Sequence, residues 1–117
     1  MSTTERGRLA EQLAANYLIQ RGYKIVDQNW RNRFAELDII ASLAGTIHIV
    51  EVKYRAGTAY GGAFEYITHD KAQRLKDAAT VWATQNHHTG PIQIDAIAVT
   101  GQLTRPIIDF LENAISD

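Results

Sequence analysis

Asp38, Glu51 and Lys53 are the residues in this chain whose types and spacing could do chemistry together. The acids fall in two strand-like runs, Phe34–Ala41 and Thr46–Tyr54, and Ser42-Leu43-Ala44-Gly45 between them reads as a hairpin turn. Side chains alternate between faces along a strand, so Glu51 and Lys53 share a face with Ile47 and Ile49, and Asp38 shares one with Glu36 and Ile40. A hairpin turning symmetrically about Ala44-Gly45 puts Asp38 across from Glu51 and Glu36 across from Lys53. Opposed strand residues have Cβ atoms about 4.5–5.5 Å apart, where two carboxylates repel each other. A divalent cation removes that repulsion. Mg²⁺ favours one or two carboxylates with waters and phosphate oxygens around an octahedron, and Mn²⁺ takes the same hard oxygen ligands. The reading is therefore a Mg²⁺ or Mn²⁺ site suited to phosphodiester hydrolysis, in which the ion activates water and polarises the phosphoryl oxygen. Lys53 fits the offsetting of transition-state charge better than proton abstraction.

The elements that must position these residues are legible around them. Ser2-Thr3-Thr4-Glu5 matches a capping box, and Leu9, Leu13 and Tyr17 with Ala10, Ala14 and Leu18 recur at helical spacing, so residues 4–21 read as a helix ended by Gly22. Tyr23–Trp30 reads as the first strand, before the two strands of the hairpin. Gly57, Gly61 and Gly62 mark a flexible connection to a helix over about 69–87, with Ala72, Leu75, Ala79 and Trp82 as its apolar stripe. Ile92–Thr100 reads as a strand returning parallel to 46–54 through a right-handed crossover. The expected fold is α/β, an αβββαβ core with a mixed sheet flanked by helices. Ile107–Ile115 is a weakly amphipathic tail, strand or helix, whose apolar side would support a homodimer.

Composition bounds the function. With 117 residues and 45% apolar side chains the chain suits one domain over 1–117. The absence of cysteine removes thiolate zinc sites, redox motifs and disulfide frameworks, and fits a reducing, cytoplasmic setting. No apolar run reaches the roughly 20 residues needed to span a bilayer, and Met1–Arg8 does not read as a leader. A formal charge of −1 argues against a protein that coats nucleic acid. Distribution softens that objection: three of the 13 acids follow Arg105, leaving 12 bases against 10 acids over residues 1–105. Arg31, Arg33, Arg55, Lys71 and Arg74 are the candidate phosphate contacts, weighed against scattered surface charge. His87 and His88 read as helix C-terminal caps, Trp30, Trp82 and Phe110 as core or rim, and Asp95 as a local partner without chemistry.

A lone Glu-x-Lys on a strand usually marks a solvated face. Here Glu36-Leu37-Asp38 followed by Glu51-Val52-Lys53 resembles the PD-(D/E)xK nuclease signature. The chain also resembles the YraN-like family of uncharacterised proteins, distant relatives of archaeal Holliday-junction resolvases. That likeness runs through Gly7-x-x-x-Glu11, Gly22-Tyr23, Asn29-Trp30-Arg31, Glu36-Leu37-Asp38, Val50-Glu51-Val52-Lys53-x-Arg55, Lys71 and Ile94-Asp95. The resemblance implies that Glu11 helps organise the metal, that Asp38 and Glu51 are its principal ligands, and that the Val52 carbonyl completes the set. The leading reading takes nucleic acid as the substrate, structured or single-stranded DNA first and RNA as the other choice. The alternative is a non-catalytic nucleic-acid-binding or adaptor module that retains the fold. Glu36 is either a further ligand or a partner holding Lys53. Ala35 stands where the pattern has Gly, and Tyr54 where it has Thr or Ser.

Overall fold

The computed structural model describes residues 1–57 and 64–115. Helix α1 (Thr3–Gln20) begins with the expected capping box: the Ser2 hydroxyl accepts from the Glu5 N–H at 3.1 Å, and the Glu5 carboxylate accepts from the Ser2 N–H at 3.2 Å. Such a cap is worth about 1 kcal/mol. Gly22, at φ 91°, ends the helix, with the Tyr23 N–H reaching back to the Leu18 carbonyl at 3.1 Å. Strands β1 (Lys24–Arg31), β2 (Glu36–Leu43) and β3 (Thr46–Arg55) follow, then α2 (His69–Gln85), β4 (Ile92–Gln102) and β5 (Arg105–Leu111). The expected glycine-rich connection falls largely on Gly61 and Gly62, which lie outside the described residues.

The five strands stand in chain order, β1-β2-β3-β4-β5. All neighbours are antiparallel except β3 and β4, which α2 joins in parallel. The sheet is mixed, as expected for an αβββαβ core. The β2–β3 turn is Ala44-Gly45, both at positive φ, and the pairing runs from Leu43↔Thr46 to Ile39↔Val50 in the register the sequence predicts. The tail resolves as a strand because Gln102↔Arg105 closes a second tight hairpin, so β4 continues past Thr100 and β5 forms an edge. Among the described residues no helix is long and apolar enough to cross a membrane.

Alternation along β2 and β3 builds two cores. Ile39, Ala41 and Val50 pack with Ala10, Ala14 and Leu18 of α1. Ile40, Ile47 and Ile49 pack with Leu75, Ala79 and Trp82 of α2. Each fully buried Leu or Ile contributes about 1.5–3 kcal/mol, so the helices are clamped to opposite faces. The expected core aromatics are in place: Trp82 is buried, while Trp30 and Phe110 pack at the margins.

Candidate metal centre

The site begins where β2 and β3 stop pairing. Beyond Ile39↔Val50, β2 runs on to Glu36 along β1 while β3 runs on to Arg55 along β4. The fork leaves ladder groups to be satisfied by side chains. Asp38 does so, its Oδ2 accepting from the Val52 N–H at 2.9 Å. A strand residue presents its N–H and C=O to the same side, so the Val52 carbonyl also faces the fork.

Four acids surround this point. Carboxylate oxygens of Glu11, Glu36 and Asp38 lie within 4.8 Å of one another. Asp38 and Glu51 are both 7% exposed and close enough for their charges to interact. Burial, and then the charge of Glu51, pushes the Asp38 carboxyl up to about 8, against the opposing bond from Val52. The Glu11 carboxyl is also raised, chiefly by burial and further by Glu36 and Glu51, while the nearby Asn29 side chain acts the other way. A cluster this crowded holds protons or a cation. Its donors are oxygen only, which suits Mg²⁺ or Mn²⁺ and gives nothing to a thiophilic ion.

Glu36 departs from its expected partner. It lies across from Arg31 of β1 and accepts from that guanidinium at 2.7 Å. The fork is the reason: β2 has left β3 by this point, so Lys53 is no longer opposite. Glu36 thus joins the acid cluster that sequence reasoning had centred on Asp38 and Glu51. Glu51 is held instead by Lys71 of α2, Nζ to Oε1 at 3.3 Å.

Lys53 is exposed, with its ammonium 5.9 Å from the centre of the Tyr66 ring, and Lys71 lies 5.7 Å from the same ring. Tyr66 is a residue the sequence did not single out, since a tyrosine in a connection carries no periodic signal. Its buried hydroxyl has no hydrogen-bond partner among the described residues. Burial, then the charges of Glu51 and Asp38, raises that phenol well above its usual range.

The cleft beside these groups has a volume of about 510 Å³ and is lined by Glu36, Asp38, Glu51, Thr68, Lys71 and Arg74, among others. Of the five expected phosphate contacts, Lys71 and Arg74 line it. Arg74 is paired with Asp70, Arg33 stacks on Phe34 at 4.9 Å, and Arg55 acts electrostatically on Tyr66. Asp95, given no chemistry, proves to be fully buried and bonded to His48 at 2.7 Å, to Gln93 and to the Asn113 N–H. This network lies on the α1 face, where Tyr23 meets the His48 ring edge-on at 5.0 Å. The expected histidine caps are not what ends α2: Asn86 caps it, its side chain donating to the Trp82 carbonyl at 2.9 Å, while the His88 ring bonds the Pro91 carbonyl in the following loop at 3.0 Å.

The model of the uncharacterised protein family UPF0102 matches residues 10–99, a span that includes every strand of the fork and all of α2. The chain belongs to this family. UPF0102 is the YraN-like family that the motifs resemble, and its members align along most of their length. The UPF0102 protein of Clavibacter michiganensis is 46% identical over 95 residues, covering 80% of each chain. That of Vibrio cholerae is 38% identical over 120 residues, covering 100% of this chain and 97% of the relative. The UPF0102 protein of Colwellia psychrerythraea is 33% identical over 116 residues, covering 97% and 90%.

Proposed function

We propose that the protein is a Mg²⁺- or Mn²⁺-dependent nuclease acting on DNA phosphodiesters. The observation that carries this reading is the meeting of Glu11, Glu36 and Asp38 oxygens within 4.8 Å, with Glu36 and Asp38 in a cleft shared with Glu51 and the Lys71 that pairs with it. Asp38, Glu11 and Glu36 would hold the ion, with Glu51 and the Val52 carbonyl as further oxygen donors. When bound, a divalent ion would supply a Lewis acid for the phosphoryl oxygen and would lower the pKa of a bound water. The chain supplies the rest. Lys53 and Lys71 offset the charge that accumulates on the phosphoryl oxygens, and Arg74 at the cleft wall anchors a neighbouring phosphate. Lys71, by holding Glu51, keeps that carboxylate turned toward Asp38.

The test is a cleavage screen over branched, flapped, single-stranded and duplex DNA with Mn²⁺ and with Mg²⁺, using Lys53→Ala as the control. Cleavage by the wild-type protein and a loss of about 100-fold or more in the variant are expected, the usual size for removing one preorganised charge-stabilising donor. If no substrate is cut with either metal, catalysis is dropped.

A second reading is a non-catalytic nucleic-acid-binding module that retains the fold. Two observations favour it: the Lys53 ammonium lies over the Tyr66 ring, and Lys71 rather than Lys53 pairs with Glu51. Saturable DNA binding without cleavage, unchanged in Asp38→Ala, is its expected signature.

A further inference from the structure

Asn29 has a backbone that its strand does not call for. It sits inside β1 at φ 52°, between the pairs Gln28↔Ile39 and Trp30↔Leu37. The left-handed region costs an L-residue about 1–2 kcal/mol, and although Asn tolerates it better than most, Gly serves best where backbone alone decides. No turn or helix end requires it, for β1 continues on both sides, and the register shift of this strand lies earlier, between Ile25 and Asp27. The local result is that Gln28 and Asn29 are both exposed, so alternation breaks there.

What the distortion achieves is visible in its neighbours. The residue facing Asn29 on β2 is Asp38, and that pair is missing although the register is the same on either side of it, at Gln28↔Ile39 and Trp30↔Leu37. Asn29 and Glu11 line one cleft of about 420 Å³ between α1 and β1, where the Asn29 side chain is close enough to favour the charged form of the Glu11 carboxylate. Glu11 in turn lies within 4.8 Å of Asp38 and Glu36. A strained residue over-determined by its surroundings and adjoining a polar cluster is the pattern found at functional sites.

We propose that Asn29 is a positioning residue of the metal centre, its left-handed backbone turning the carboxamide onto Glu11 and so fixing the Glu11 carboxylate toward Asp38 and Glu36. The inference rests on the metal reading of the acid cluster. Partners that orient metal ligands typically account for 10–100-fold in metal affinity.

Asn29→Gly separates the two possible roles of the residue, because Gly adopts φ 52° without strain yet carries no amide. The expected result is a midpoint of thermal unfolding at or above that of the wild type, with Mn²⁺ affinity reduced about tenfold or more in a titration of the metal-free protein. Wild-type protein that binds Mn²⁺ while Asn29→Gly binds it equally well overturns this inference and leaves the metal reading standing. Wild-type protein that takes up no Mn²⁺ overturns both. The contact itself is read by NMR: the Asn29 carboxamide resonance is expected to shift in Glu11→Ala, and indifference to that substitution also overturns the proposal.

Discussion

Asp38 is the residue on which charge weighs most. Its carboxyl stands at about 8 because burial and Glu51 disfavour the ionised form. Since the folded value lies above the unfolded one, folding takes up a proton between about pH 4 and pH 8, and this contribution to stability is lost as pH rises through that window. Asp38→Asn keeps an oxygen for the Val52 N–H and removes the charge. The metal-free variant is expected to melt about 5 °C or more above the wild type at pH 9 and level with it near pH 4; equal melting at pH 9 would refute the burden assigned to this carboxyl. Metal competes with the same proton, so Mn²⁺ affinity of the wild type should rise by up to about tenfold per pH unit below pH 8. A flat titration from pH 6 to pH 8 argues against Asp38 as a ligand. Asp38 and Glu51 were legible from register arithmetic alone. The place of Glu36 was not, because it depends on where two strands part.

At the scale of elements, the hairpin and the fork divide the work between them. The turn fixes register through Ala44 and Gly45 at φ 50° and 84°, and Ala is strained in that conformation. Ala44→Asn supplies the residue a type I′ turn prefers and should stabilise by about 0.5–1 kcal/mol, read from urea unfolding. No gain would mean that the turn is not under strain. The α1-face network is the other device sequence reasoning passed over, since a histidine in an apolar strand has no pattern to announce a partner 47 residues away. Asp95→Ala removes the acceptor for His48, Gln93 and the Asn113 N–H together. A loss of about 3 kcal/mol is expected, and a cost below about 1 kcal/mol would contradict a structural role. Helices, strands and the parallel return were readable from capping residues and periodicity. The β4–β5 hairpin was missed because Leu103-Thr104 lacks the usual turn residues.

For the whole molecule, charge sets the terms of any encounter with nucleic acid. The formal charge is −1, and Arg31, Lys71 and Arg74 are already paired with acids. Few phosphates can be neutralised. Binding to duplex DNA should therefore weaken with salt along a shallow line, a slope of about −2 to −3 in log K against log salt, shallower by about 1 in Lys53→Ala. A slope steeper than about −6 would point to a basic surface that the cleft does not provide. Composition conveyed this restraint from the start, whereas the pairing of individual cations required the fold.

The most direct test is a Mn²⁺ titration of the metal-free protein at pH 8, following the paramagnetic signal of the free ion, with Asp38→Ala alongside. Saturable uptake by the wild type, weakened about 100-fold or more in the variant, is the predicted result. Equal uptake by both proteins, or none by the wild type, would contradict a metal centre at the β2–β3 fork.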